Sequence, residues 1–213
     1  MIVEYMNHMG NDYTVCDAAR VSMDKDASQF CPSENDRLIR YLATHKHWSP
    51  FSHAFVTMRF TAPIFIARQL QKHQIGFAWN EVSRRYVSSS PTFWKPHKWR
   101  PIAPSVKQGS KDEYHAEHHY WDIRMDAIHS EAVGLYDLMI ANGVCPEQAR
   151  AILPQSTMTE WIWSGSLCAW ARMYNLRNDQ HAQSEVRQYA QAVAEILAPL
   201  YPVSWTALVE TQH

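Results

Sequence analysis

Residues 53–62, HAFVTMRFTA, set Ala54, Val56, Met58 and Phe60 in strict alternation with Phe55, Thr57, Arg59 and Thr61. A period of two is the signature of a strand. Pro63 then suits the first turn of a helix. The following IFIARQLQKHQ turns Ile64, Phe65, Ala67 and Leu70 toward a core. A strand that feeds directly into an amphipathic helix calls for both sheet and helix partners, which points to a mixed fold.

The remaining periods are mostly helical. ENDRLIRYLATH carries Leu38, Ile39 and Leu42 on one stripe, with Ser33 as the expected N-cap. YTVCDAARVSMD reads as a short strand or a helix start. Helices are expected over 111–141, stopping at Asn142-Gly143, and in CPEQARAIL with Pro146 in its first turn. MTEWIWSGSLCAWARMYNLR reads as another. AQSEVRQYAQAVAEILAPL places Val186, Tyr189, Val193, Ile196 and Leu200 at helical spacing. After a turn at Gly76, SRRYV reads as a strand. The Ser-, Pro- and aromatic-rich stretch 88–110 reads as a long irregular excursion or lid. The sum is an α+β fold, a helical majority around a small, mostly antiparallel sheet, in one domain over 1–213.

At 213 residues, 46% hydrophobic and 12% aromatic, the chain can bury a sizeable core and does not read as disordered. A net charge of -1 argues against general nucleic-acid binding, so any basic site is local. The four cysteines form no C-x-x-C pair, and with nine methionines they fit a reducing compartment. The start of the chain lacks the pattern of a signal peptide. No apolar run approaches the roughly 18 residues of a membrane span. A soluble cytoplasmic protein is expected. Neither a P-loop, nor G-x-S-x-G, nor a dinucleotide-binding glycine pattern is present, so an enzyme of this sequence would leave the difficult chemistry to a bound cofactor.

One segment stands apart. KHQIGFAWNEVSRRY, residues 72–86, mixes cations, amides and a carboxylate with Phe77, Trp79 and Tyr86. Lys72, Ser83, Arg84 and Arg85 suit a phosphate, because guanidinium offers a planar fork of charge-assisted donors. Glu81 suits a ring N–H or a sugar hydroxyl. The same residues also read as a solvated strand edge with a salt bridge to Glu81. A second polar cluster, Arg177 to Gln183, sits at a junction between helices, where ligand binding and plain capping by Asn178 or Asp179 both fit. Arg150 either joins a site or pairs with Glu147. The histidines of HAEHHYW (His115, His118, His119) lack an H-E-x-x-H pattern, and no metal is expected.

Taken in order, AARVS (18–22), HWSPFSH (47–53), APIFIARQ (62–69), NEVSRRY (80–86), QARAILP (148–154) and NLRNDQHAQSE (175–185) resemble the flavin-dependent thymidylate synthase family over most of the chain. The resemblance implies reductive methylation of dUMP to dTMP without an enzyme cysteine nucleophile. It also implies FAD, NADPH as reductant, methylene-tetrahydrofolate as carbon donor, and a homotetramer whose subunits share sites. Carried over, Gln69, Lys72, Glu81, Ser83, Arg84, Arg85, Arg150 and Arg177 would hold dUMP. Arg177 would act at the uracil edge as the catalytic residue. His47, Ser49, Lys72, His73, Gln74, Glu81, Ser166 and Arg172 would line the FAD site. The chain departs from the family at one signature: Lys72-His73-Gln74 stands where Arg-His-Arg is usual, and one extra residue lies between His73 and the Asn-Glu pair.

Overall fold

A computed structural model describes residues 2–104 and 109–210 of the chain. Its strands are β1 (Ile2–Met9), β2 (Phe55–Pro63), β3 (Phe77–Glu81) and β4 (Met158–Ser166), in the order β1-β2-β4-β3 within one antiparallel sheet. The helices are α1 (Asp12–Arg20), α2 (Pro32–Thr44), α3 (Ile64–Leu70), α4 (His118–Ala141), α5 (Pro146–Ala149), α6 (Leu167–Arg177), α7 (Ser184–Leu200) and α8 (Pro202–Glu210). The fold is α+β, as expected.

The chain divides into two units. The first comprises Met1–Phe60, Leu70–Asn80 and Ile162–His213, and the second Thr61–Gln69 and Glu81–Trp161. In the first unit the core is aromatic. Phe60 lies 5.4 Å from Trp163 and 6.1 Å from Trp170, ring centre to ring centre, and Phe77 packs at 4.5 Å and 4.8 Å on the same two indoles. The Trp170 indole N–H donates to the Val56 carbonyl at 3.2 Å, tying α6 to β2. Gly165 makes this packing possible, because a Cβ there would overlap the Phe77 ring. Helix α2 begins at Pro32 with Cys31 as N-cap, and the Glu34 carboxylate accepts from the Cys31 N–H at 2.9 Å. The start therefore lies two residues before the expected cap at Ser33. Proline's fixed φ and a third-position glutamate define that start.

The second unit is organised on α4. The excursion is irregular, as read, but held to this helix: Lys95 pairs with Asp126 at 2.8 Å, and the Phe93 ring stacks 4.4 Å from His129. Residues 105–108 of that excursion lie outside the described residues. Helix α4 starts at His118 rather than at 111.

Two further expectations are corrected, and one unassigned stretch proves to be a strand. The stretch 158–177 is not one helix: β4 occupies its first nine residues and α6 the rest. Trp161 and Trp163 alternate into the interior there, and a short apolar run can take either form until its partners decide. SRRYV is a turn, with the Tyr86 and Val87 N–H groups donating to the Ser83 carbonyl at 3.0 Å and 3.2 Å. The strand is Phe77–Glu81, which ends one residue short of it. The eight residues of β1, which carried no assignment, form an edge strand.

Candidate functional site

In the second unit, a cavity of about 340 Å³ gathers Glu81, Arg84 and Arg150 with Thr61, Thr159 and Glu160. That volume falls in the range of small-molecule sites, roughly 300–1,000 Å³. Its construction begins at the end of β3. The Val82 N–H donates to the Glu160 carbonyl at 2.8 Å, so the chain stays pinned to β4 as it leaves the strand. The turn that follows is closed by Ser83, whose hydroxyl also accepts from the Arg85 N–H at 3.3 Å. Arg84 is thereby half-buried. It donates to the Ser89 carbonyl at 2.8 Å and lies 5.8 Å from the centre of the Tyr136 ring.

Arg85 faces solvent. Its Nε lies 3.9 Å from the Glu147 carboxylate, and its guanidinium sits over the Tyr86 ring at 5.3 Å. Such an exposed pair contributes at most about 1 kcal/mol. Arg150 does not pair with that carboxylate. Its Nε donates to the Glu147 carbonyl at 3.2 Å, which orients a guanidinium that lines the cavity. Glu81 is held by a hydroxyl from the neighbouring strand: Thr159 Oγ1 donates to its Oε1 at 2.7 Å. The lining thus combines two guanidinium groups with two carboxylates and several hydroxyls. That donor and acceptor set suits a small phosphorylated ligand carrying hydroxyl or ring N–H donors.

A separate group forms in the first unit. Arg177, the last residue of α6, donates from Nε to His73 Nε2 at 2.9 Å. His73 must then carry its proton on Nδ1 and stay neutral. Burial, followed by the positive charges of Arg177 and Arg172, pushes its pKa down to about 4. Burial also lowers the pKa of Arg177 from its usual value. Arg172 donates to the Ile75 carbonyl at 2.7 Å. Gly76 has φ +82°, and a Cβ there would come within 2.9 Å of the Ala169 Cβ and 3.1 Å of the Ser166 hydroxyl. Only glycine suits both the backbone angle and the close approach. Ser166 is buried, binds the Gly76 carbonyl through its N–H at 3.0 Å, and caps α6 by accepting from the Ala169 N–H at 3.3 Å.

Lys72 and Gln74 are exposed in the turn after α3, and Gln69 is half-buried on that helix. His47 and Ser49 are exposed in the loop after α2, where His47 meets the Tyr41 ring edge-on at 6.1 Å. At the junction where ligand binding and capping both fit the sequence, Asn178 donates to the Tyr174 hydroxyl at 2.9 Å, and Asp179 accepts from the His181 N–H at 2.7 Å. Neither caps α7, whose N-cap is Gln183.

Sequence reasoning missed Thr61, Thr159 and Glu160. The last two fell inside a stretch read as helix. The alternation of Thr159, Trp161 and Trp163 is the signal that would have marked them as strand residues.

The histidine group gains Asp122. Ligand atoms of His118, His119 and Asp122 lie within 4.8 Å of one another. However, His118 Nδ1 accepts from the Trp99 N–H at 3.2 Å, which leaves the proton on Nε2, facing the Asp122 carboxylate at 3.5 Å. Asp122 also accepts from the Trp99 indole at 2.9 Å. These contacts commit His118 and Asp122 to holding the excursion against α4.

The family model described as Thy1, thymidylate synthase complementing protein, matches residues 2–203. A flavin-dependent thymidylate synthase of Thermus thermophilus is 35% identical over 208 residues, 98% of this chain and 75% of that protein. One of Thermosipho africanus is 34% identical over 204 residues, 95% of this chain and 88% of the relative. Among solved structures, the UMP/dUMP methylase PolB of Streptomyces cacaoi bound with 5-Br dUMP superposes with a TM-score of 0.88 at 27% identity, covering 98% of this chain and 94% of that one.

Proposed function

Since this chain belongs to the Thy1 family of thymidylate synthase complementing proteins, we propose that it converts dUMP to dTMP by flavin-dependent reductive methylation. The enzyme is a thymidylate synthase, a methyltransferase acting on a pyrimidine nucleotide. The observation that carries the reading is the cavity, where Glu81, Arg84 and Arg150 converge in a chain that the family model matches over residues 2–203.

In this proposal Arg84, Arg85, Arg150 and Ser83 meet the nucleotide phosphate, Glu81 accepts from its sugar or ring, and Gln69 and Lys72 complete the grip. Arg177 faces the uracil carbonyl edge. Its Nε is engaged by His73, which sets the plane of the guanidinium. A fixed cation there stabilises the negative charge that develops as C5 becomes nucleophilic.

The flavin, as FAD, belongs to the group around His73, Arg172 and Ser166, with His47, Ser49, Lys72, Gln74 and Glu81 joining on the family pattern. Those residues fit an anionic dinucleotide: Arg172 supplies positive charge, and the bare Gly76 backbone against Ser166 leaves the loop without a side chain. When bound, the flavin supplies the redox chemistry of the methylation, with NADPH as reductant and methylene-tetrahydrofolate as carbon donor. No cysteine nucleophile takes part. Two features support this: burial holds the Cys16 and Cys168 thiols above their ordinary range, Cys16 at about 11, and the described residues lining the cavity include no cysteine.

The chain forms a homotetramer in this reading. Helix α4 exposes Ile123, Ile128 and Leu138, each more than half exposed, which suits coverage by another copy. No described helix is long and apolar enough to cross a membrane. A cytoplasmic location is proposed.

The test is label release from C5-tritiated dUMP with FAD, NADPH and methylene-tetrahydrofolate. Release with dTMP formed is expected. Bound dUMP with no release under these conditions would overturn the reading. The likeness to a UMP/dUMP methylase favours a second reading in which UMP is also methylated, so the assay is run with UMP in parallel.

A further inference from the structure

Glu81 ends β3 on an exposed position, and a glutamate there has several rotamers to choose from. Its surroundings restrict it. The Val82–Glu160 backbone bond sets the register of the chain against β4, and the Thr159 hydroxyl donates to Oε1 at 2.7 Å. Threonine is branched at Cβ and stiff at χ1, so the strand dictates where its hydroxyl points.

The pair is also out of character with its surroundings. By alternation Glu81 shares a face of β3 with Phe77 and Trp79, and Thr159 shares a face of β4 with Trp161 and Trp163. Phe77, Trp79, Trp161 and Trp163 make those faces largely aromatic, and this pair is polar. Glu81 is exposed, so packing does not dictate its side chain. A polar pair whose two members both line the cavity serves the cavity.

We propose that Thr159 is a positioning residue: its hydroxyl holds the Glu81 carboxylate in the orientation that accepts a hydrogen bond from the bound nucleotide. This rests on the nucleotide-binding reading above. Thr159 acts through Glu81, and its own contact with substrate is not required.

The test is calorimetric titration of the full chain with dUMP, accompanied by steady-state kinetics. It uses the wild type, Thr159→Val, Thr159→Ala, Thr159→Ser, Glu81→Ala, and Glu81→Ala combined with Thr159→Val. Valine keeps the shape and branching and deletes the hydroxyl. The Val and Ala variants are expected to bind dUMP about tenfold more weakly, the size that loss of a hydrogen bond to a charged group reaches. KM rises more than kcat falls, and Ser restores affinity. In the Glu81→Ala background the Val change has no further effect, and affinity for inorganic phosphate, which meets the arginines, stays at the wild-type value. Unchanged dUMP affinity in both Val and Ala variants overturns the proposal. So does an equal loss in the Glu81→Ala background, or a parallel loss of phosphate binding. A wild-type chain that binds neither dUMP nor UMP overturns the nucleotide reading itself, and this proposal with it.

Discussion

Arg177 and His73 set each other's state: the guanidinium keeps the imidazole neutral, and the neutral imidazole holds the guanidinium by its Nε. Three predictions follow at this scale. Arg177→Ala is expected to abolish dTMP formation while flavin binding and native mass persist, and undiminished turnover would remove Arg177 from its proposed role. The second concerns pH. The His73 pKa falls from the ordinary 6.5 to about 4 in the fold. Between those values the unfolded chain binds a proton that the folded chain does not. Stability is therefore fully present above about 6.5 and declines as pH falls toward 4. The thermal midpoint should drop over that window more steeply than in His73→Gln, and identical slopes would show that His73 is not the group responsible. Gln74 is exposed in the same turn. Gln74→Arg should leave the melting temperature unchanged and tighten flavin, because it restores a cation beside an anionic cofactor; loss of the fold would contradict this.

At the level of elements, β4 carries the most weight. It lies between β2 and β3 in the sheet, provides Trp163 to the aromatic core, and presents Thr159 at the cavity. Its one glycine within the core admits the Phe77 ring. Gly165→Ala should destabilise the fold by roughly 1–3 kcal/mol, the cost of overpacking a dense interior. Urea unfolding would measure it, and an unchanged midpoint would mean that the Phe77 ring is not seated against Gly165. The turn after β3 matters for a different reason. As a strand, SRRYV would have sent Arg84 and Arg85 to opposite faces of a sheet. As a turn closed on Ser83, it sets Arg84 in the cavity lining and Arg85 on the exposed side of the same turn, beside Glu147.

For the whole molecule, the exposed apolar surface of α4 and β1 is the feature that asks for an explanation. Ile123 is 67% exposed and Leu138 60% on α4, and Met9 is 60% exposed on β1. Single exposed side chains need no account, but several on one helix mark an interaction surface. Light scattering should give the mass of a tetramer for the wild type, and Ile123→Glu with Leu138→Glu should lower it and reduce turnover. A wild-type mass of one chain would end the proposal of shared sites.

Period and local chemistry were enough to read from sequence the alternation of β2, the run of α7, the α+β class and the family. Those signals depend only on neighbours along the chain. The order of the motifs also pointed to Glu81, Arg84, Arg150 and Arg177 as site residues. What sequence could not decide was everything set by distant partners. Met158–Ser166 is a strand because β2 and β3 lie beside it, and a run of nine mixed apolar residues has no preference strong enough to declare that alone. Ser83–Val87 is a turn because carbonyl and hydroxyl of Ser83 capture the following N–H groups. Thr159 meets Glu81 across 78 positions of sequence. Only tertiary structure brings such residues together, because a hydrogen bond is set by distance and angle in space, and spacing along the chain encodes neither for residues so far apart.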